Sequence, residues 1–181
     1  MNNLCADIGY RSLIKYGEEL CGDNIQVIEK DDGSTIIVLA DGLGSGVKAN
    51  ILSTRTSKIL STMMAQGMKV EDCVETMAQT LPVCSVRGVA YSTFTIIYIR
   101  DNDEADIIQY DNPDVILLRN GQNYDYPQTI SDICGKKISR STIKLCEDDI
   151  FIAMSDGCIH ASIGQELNFG WDRNEIIEFM E

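Results

Sequence analysis

The sequence predicts an α+β fold in which antiparallel sheets are covered by helices, and three observations carry that expectation. Apolar, β-branched runs of strand length recur along the chain, most clearly at residues 36–40, 91–99, 105–110 and 115–119. One pair of helical patterns stands between the first two of these runs. The later strands are joined by Asp101-Asn102-Asp103 and Asp111-Asn112-Pro113, turn clusters too short for the crossover connections of a parallel sheet. Strands in runs, rather than in regular alternation with helices, define the α+β class.

Taken in order, strand-like segments near 4–14 and 25–29 open the chain, and the turn Asp31-Asp32-Gly33 leads into the strand at 36–40. From Ser45 to about Gln66 there is no proline, and Val47, Ile51, Ile59, Leu60, Met63 and Met64 recur at three- and four-residue spacings, the mark of a long amphipathic helix. Gly67 ends it, and a second helix over 70–81 collects Val74, Met77, Ala78 and Leu81 on one side before Pro82. An antiparallel meander follows at 91–99, 105–110 and 115–119. Beyond a polar segment at 120–133, strands are expected at 140–146 and 150–154 about the acidic turn Glu147-Asp148-Asp149, and helical patterns at 159–167 and 175–180 close the chain. With 181 residues, 44% of them apolar, and no internal repeat or linker, residues 1–181 are expected to form one domain.

Composition removes several function classes. Lysine and arginine total 15 against 28 acids, a formal net charge of −13, so a broad phosphate-neutralising surface for nucleic acid is not expected. No apolar run approaches the roughly 18–20 residues that span a bilayer, and no basic segment followed by an apolar one opens the chain; a cytoplasmic protein without a membrane segment is the expectation. The seven cysteines form no Cys-x-x-Cys pair and read as reduced, semi-buried core residues.

Chemistry concentrates at strand ends. Asp41-Gly42-Leu43-Gly44-Ser45-Gly46 follows directly on the run at 36–40, a second strand-then-Asp-Gly pattern ends at Asp156-Gly157, and Gly22-Asp23 precedes Asp41 by eighteen residues. A lone Asp-Gly after a strand is usually only a turn; three together suggest a cradle for a hard divalent cation, which prefers carboxylate, carbonyl and water oxygens. Gly42 could then turn the chain so that its carbonyl faces the ion. Gly44-x-Gly46-x-x-Ala49 also satisfies the loose dinucleotide-binding pattern, though Asp41 would set a negative charge beside a pyrophosphate. His160 reads as a capping or surface residue. Ser45 reads as a helix cap, since no base is placed to make it a nucleophile.

Gly22-Asp23, the run from Leu39 to Gly46 followed by a long helix, and Met154-Ser155-Asp156-Gly157 together resemble the metal-dependent serine/threonine phosphatases of the PPM (type 2C) superfamily, most closely their bacterial SpoIIE/RsbU/RsbX branch. The segment from Tyr110 through Asn112-Pro113 to Gly121 is similar to a strand, Asn-Pro and hairpin region of that branch, and the resemblance covers nearly the whole chain. It implies a four-layer α-β-β-α sandwich, two stacked antiparallel sheets flanked by helices, with two Mn²⁺ or Mg²⁺ ions at one edge. Carried over position by position, Asp41 would bridge the ions, Gly42 would offer its backbone carbonyl, Asp156 would ligate one ion, and Asp23 would bind an ion or orient its water. None would be a covalent nucleophile.

The same resemblance implies hydrolysis of phosphoserine or phosphothreonine on a bacterial signalling protein, an anti-sigma-factor antagonist or STAS-domain type, in sporulation or stress-response signalling. Regulation through the helical layer is also implied, which leaves a homodimer or partner surface open there. Two departures stand. Gly22 occupies the position where eukaryotic members carry an extra acid. The family's closing Asp-Asp-x-Thr-like motif, whose Asp is a further ligand, does not occur before Glu181, so the expectation is either a piece of a longer protein lacking its C-terminal strand or a member with weakened activity. Phosphatase, weak or inactive phosphatase-like interaction module, and nucleotide-binding enzyme remain the three readings of the chain.

Overall fold

The computed structural model describes residues 4–80, 92–100, 103–161, 163 and 170–181, the side chain of Ala78 excepted. The elements in order are β1 (Asp23–Glu29), β2 (Thr35–Gly42), α1 (Gly46–Ala65), α2 (Val70–Thr80), β3 (Ser92–Arg100), β4 (Glu104–Tyr110), β5 (Ile116–Arg119), β6 (Gln122–Asn123), β7 (Thr129–Ile133), β8 (Lys136–Lys144), β9 (Ile150–Ile152), α3 (Asp156–Ile159) and α4 (Arg173–Met180). Six strands form one sheet in the order β1-β2-β3-β4-β8-β7, and three form a second in the order β6-β5-β9. Every pairing is antiparallel.

The run at 36–40 is apolar throughout because both faces of β2 are covered. Ile36, Val38 and Ala40, fully buried, point with Phe94, Ile96 and Ile108 toward Leu60, Met64, Val74 and Met77 of the two long helices. On the opposite face Ile37 joins Ile97, Ile99, Ala105, Ile107 and Ile143 against Val115, Leu117 and Phe151 around the small sheet. The outer side of that sheet, through Ile116, Leu118 and Met154, packs on Ile176 and Ile177 of α4. Three apolar seams thus separate four layers, helices, large sheet, small sheet and helices, the expected sandwich. Each fully buried Ile or Leu in these seams contributes roughly 1.5–3 kcal/mol.

Helix α1 ends as its sequence predicts: Gly67, at φ +81°, returns its N–H to the Met64 carbonyl, and Met68 N–H reaches Met63, the two bonds of a Schellman turn. Its buried stripe differs from the predicted one. Val47 and Ile51 are exposed, and the sheet is met by Ala49, Ser53, Ser57 and Ser61 before Leu60 and Met64 take over. The serine hydroxyls return to carbonyls three residues back, Ser53 to Asn50, Ser57 to Thr54 and Ser61 to Lys58, so small, internally satisfied side chains let the helix lie close on β1 and β2. Beyond β5, Arg119 forks onto Asp149 through two 2.8 Å bonds and donates to the Lys144 carbonyl, tying the small sheet to the end of β8.

Several sequence expectations are corrected. Residues 4–14 form no strand; the segment has no ladder bonds, and residues 4–10 line a cleft of about 470 Å³ between the sheets, floored by Ile25, Ile37, Leu39 and Ile97. The polar segment at 120–133 contains β6 and β7, and β8 begins at Lys136 rather than at 140. The helix expected at 159–167 is a four-residue turn of helix ending at Ile159; residues 164–169 lie outside the described residues, as do Leu81 and the start of the run at 91–99. Of the described cysteines, all free, only Cys73 is a core residue, while Cys5, Cys134, Cys146 and Cys158 are exposed; Cys84 lies outside the described residues. No helix among the described residues is long and apolar enough to cross a membrane.

Candidate metal centre

Register brings the first two carboxylates together. Asp23, the first residue of β1, pairs with Asp41 near the end of β2, and directly opposed residues of an antiparallel ladder project from the same face. That is the face carrying Ile37, turned toward the small sheet. From that sheet, β9 continues through Ala153 and Met154 to Ser155, the N-cap of α3, and to Asp156, its first residue. Ser155 donates its hydroxyl to Asp23 Oδ2 at 2.9 Å, joining the two sheets at the site.

The electrostatics follow from this convergence. Burial, then the Asp23 and Asp156 carboxylates, push the Asp41 carboxyl up to about 8, and all of these causes act in the same direction. The thiol of Cys158, an exposed residue, is raised by partial desolvation and by the same two aspartates. Among the described residues, no three acidic, histidine or cysteine side chains already close around one point. An open set of carboxylates that repel one another fits a partly hydrated hard cation, whose shell is completed by waters and backbone carbonyls, better than a fully enclosed one.

The glycines beside the carboxylates serve packing as well as turning. Gly42 stays in β2, opposite Ser92, and the positive-φ glycines of the loop are Gly44 and Gly46. A Cβ on Gly42 would stand 2.0 Å from the Ala49 carbonyl oxygen in the first turns of α1, and one on Gly22 would stand 3.4 Å from Ala49 Cβ and 3.8 Å from the Gly42 carbonyl oxygen. Gly42 N–H donates to the Gly22 carbonyl at 3.2 Å. The two glycines therefore let strand end, helix start and the residue before Asp23 meet backbone to backbone. Ser92 donates to the Asp41 carbonyl at 2.9 Å. Next to Asp41 in the sheet, Thr93 donates to Asn112, which donates to Thr95, fixing the turn before Pro113.

Ser45 is the N-cap of α1 but makes no capping bond; its hydroxyl donates to Glu18 Oε1 at 2.6 Å. Sequence reasoning missed Glu18, which lies 27 residues away in a polar stretch without periodicity. Its carboxylate stands at the start of α1, within 2.1 Å of where a Gly46 Cβ would be. That is the place a pyrophosphate takes in the dinucleotide reading, so the reading loses its anion site. His160 is exposed, with Nδ1 2.9 Å from the Asp156 carbonyl oxygen, the surface role expected of it.

With this geometry in place, the comparisons are decisive for kinship. The family model for Stage II sporulation protein E (SpoIIE) matches residues 31–178. The chain belongs to the SpoIIE family. Solved structures place this SpoIIE-family chain on the same fold. The PP2C phosphatase domain with a regulatory fragment of SpoIIE from Bacillus subtilis superposes with a TM-score of 0.72 at 20% identity, covering 94% of this chain and 54% of that one. The RsbU and RsbW domains of Rv1364c from Mycobacterium tuberculosis give 0.68 at 15% identity over 92% of this chain and 47% of that one. RsbX in complex with magnesium gives 0.64 at 26% identity over 94% and 83%. The chain thus spans about half the length of the first two. No curated protein matches it in sequence.

Proposed function

We propose that this SpoIIE-family chain is a metal-dependent serine/threonine protein phosphatase, and that Asp23, Asp41 and Asp156, with the Gly42 carbonyl, hold its Mn²⁺ or Mg²⁺ ions, two in number. The single observation that carries the reading is that Asp23 and Asp41, paired across the β1–β2 ladder, and Asp156, at the start of α3, stand near enough for the other two carboxylates to hold the Asp41 carboxyl above its ordinary range. A bound hard cation supplies an acidified water and neutralises charge on phosphoryl oxygens. The chain's own part is positional. Asp41 faces Asp23 across the ladder and feels the Asp156 carboxylate, the Ser155 hydroxyl holds one oxygen of Asp23, and Ser92 fixes the backbone at Asp41.

Residues 1–181 are read as one phosphatase-type domain. Its substrate class is a phosphorylated bacterial regulatory protein, of the anti-sigma-factor-antagonist or STAS-domain type; similar structures that include a chain with RsbU and RsbW domains, RsbX and a bacterial stressosome protein support that choice. Val47 and Ile51, exposed on α1, are the side chains through which a homodimer or partner would meet the helical layer. A phosphatase-like interaction module of weak or no activity is the second reading, favoured by the open ligand set. Hydrolysis of p-nitrophenyl phosphate with Mn²⁺, compared between wild type and Asp41→Asn, separates the two. Activity that needs both the metal and Asp41 supports the phosphatase; calorimetric Mn²⁺ binding without turnover supports the module.

A further inference from the structure

We infer that Glu18 is a positioning residue for this centre, fixing the first turn of α1 and through it the Gly42 carbonyl; the inference rests on the metal-site reading above. Helix α1 has no acidic residue in its first turn and no side-chain cap of its own, although both are the usual means of satisfying and neutralising a helix N-terminus. Glu18 supplies the missing charge from outside the helix. Its Oε1 accepts the Ser45 hydroxyl at 2.6 Å, and its Oε2 fills the space that a side chain at Gly46 would need. Gly46, at φ +68°, begins the helix in a conformation that glycine alone adopts readily.

The held turn bears directly on the centre. The Ala49 carbonyl, three residues into α1, lies so close over Gly42 that no Cβ fits between them, and Gly42 N–H is bonded to the Gly22 carbonyl. A shift of the helix start therefore moves Gly42 and Gly22, the neighbours of Asp41 and Asp23. Further along the helix Asn50 donates to the Cys21 carbonyl at 2.9 Å and Ser57 donates to Asn24 Oδ1 at 2.8 Å. Glu18 is the only one of these three ties that grips the helix at the end facing the glycine loop. Groups behind a metal ligand typically alter affinity by about 10- to 100-fold when removed.

The test is calorimetric titration of the whole chain with Mn²⁺, using wild type, Glu18→Ala, Glu18→Gln, Ser45→Ala and the Glu18→Ala/Ser45→Ala pair, with metal-free melting temperatures alongside. Glu18→Ala and Ser45→Ala are each expected to weaken Mn²⁺ binding by about tenfold. Glu18→Gln, which keeps an acceptor for Ser45 but loses the charge, recovers only part of the loss, and the double variant loses little more than either single one. Metal-free melting temperatures stay near wild type, which a general loss of structure would not allow. Equal affinity in wild type, Glu18→Ala and Ser45→Ala overturns this inference alone. Absence of Mn²⁺ binding in wild type overturns it together with the metal-site reading.

Discussion

Two Asp-Gly corners that look alike in sequence are built differently. Asp41-Gly42 lies within the ladder of the large sheet, with its glycine closed in by the Ala49 carbonyl and its carboxyl pushed up by burial and by two neighbours. Asp156-Gly157 starts a four-residue helix at the surface, where a Cβ on the glycine would meet only Ser155 Oγ, at an ordinary 3.7 Å. The first corner offers backbone as well as side chain and has no room to change; the second offers a side chain on an open turn. An identical dipeptide thus carries different constraints according to what packs on its glycine.

That contrast can be broken in three ways, in falling order of expected effect. Asp41→Asn should reduce Mn²⁺-dependent phosphoester hydrolysis by about 100- to 1,000-fold, the scale of loss when stabilisation of developing charge is removed, because Asp41 would hold the cation that supplies it. Gly42→Ala should cost about 2 kcal/mol by overpacking, lowering the melting temperature by about 4–8 °C for a domain of this size; an unchanged melting temperature would mean that the α1 backbone gives way freely. Gly157→Ala should stay within about twofold of wild type in the hydrolysis assay, being a surface change away from packed backbone.

A separate test of the same contrast is one of pH. Because the folded-state carboxyl of Asp41 sits near 8, above its ordinary value near 4, its contribution to stability is complete below pH 4 and is lost as pH rises toward 8. In metal-free buffer, melting curves of wild type and Asp41→Asn should therefore run together at pH 4 and separate by pH 8, the variant being the more stable. Wild type more stable than Asp41→Asn at pH 8 would contradict this account of the cluster.

Much of this architecture was legible because its elements bury apolar residues at a regular period. The run at 36–40 and the meander strands announce themselves that way, whereas α1 was read from a periodicity whose first residues, Val47 and Ile51, are exposed. β7 could not be read, because four of its five residues are exposed and it lies at the sheet edge. Residues 4–14 misled for the opposite reason, since the segment carries apolar residues but forms no ladder, residues 4–10 lining the inter-sheet cleft and Leu13 and Ile14 being exposed. Asp23, Asp41 and Asp156 were visible as strand-end residues, but the pairing of Asp23 with Asp41 is a fact of register. Glu18 was invisible, its meaning coming from a serine 27 residues on and from a side chain that Gly46 lacks.

β1 forms one margin of the large sheet and is laddered to β2 alone. Marginal strands open at a fraction of the free energy that the whole fold requires, and Asp23 rides on this one while Asp41 lies a strand further in. Loosening β1 would part the two carboxylates and leave the helix-covered seam intact. A cation shared between them would act as a rivet on that margin, and its release would keep time with the fraying of seven residues instead of with global unfolding.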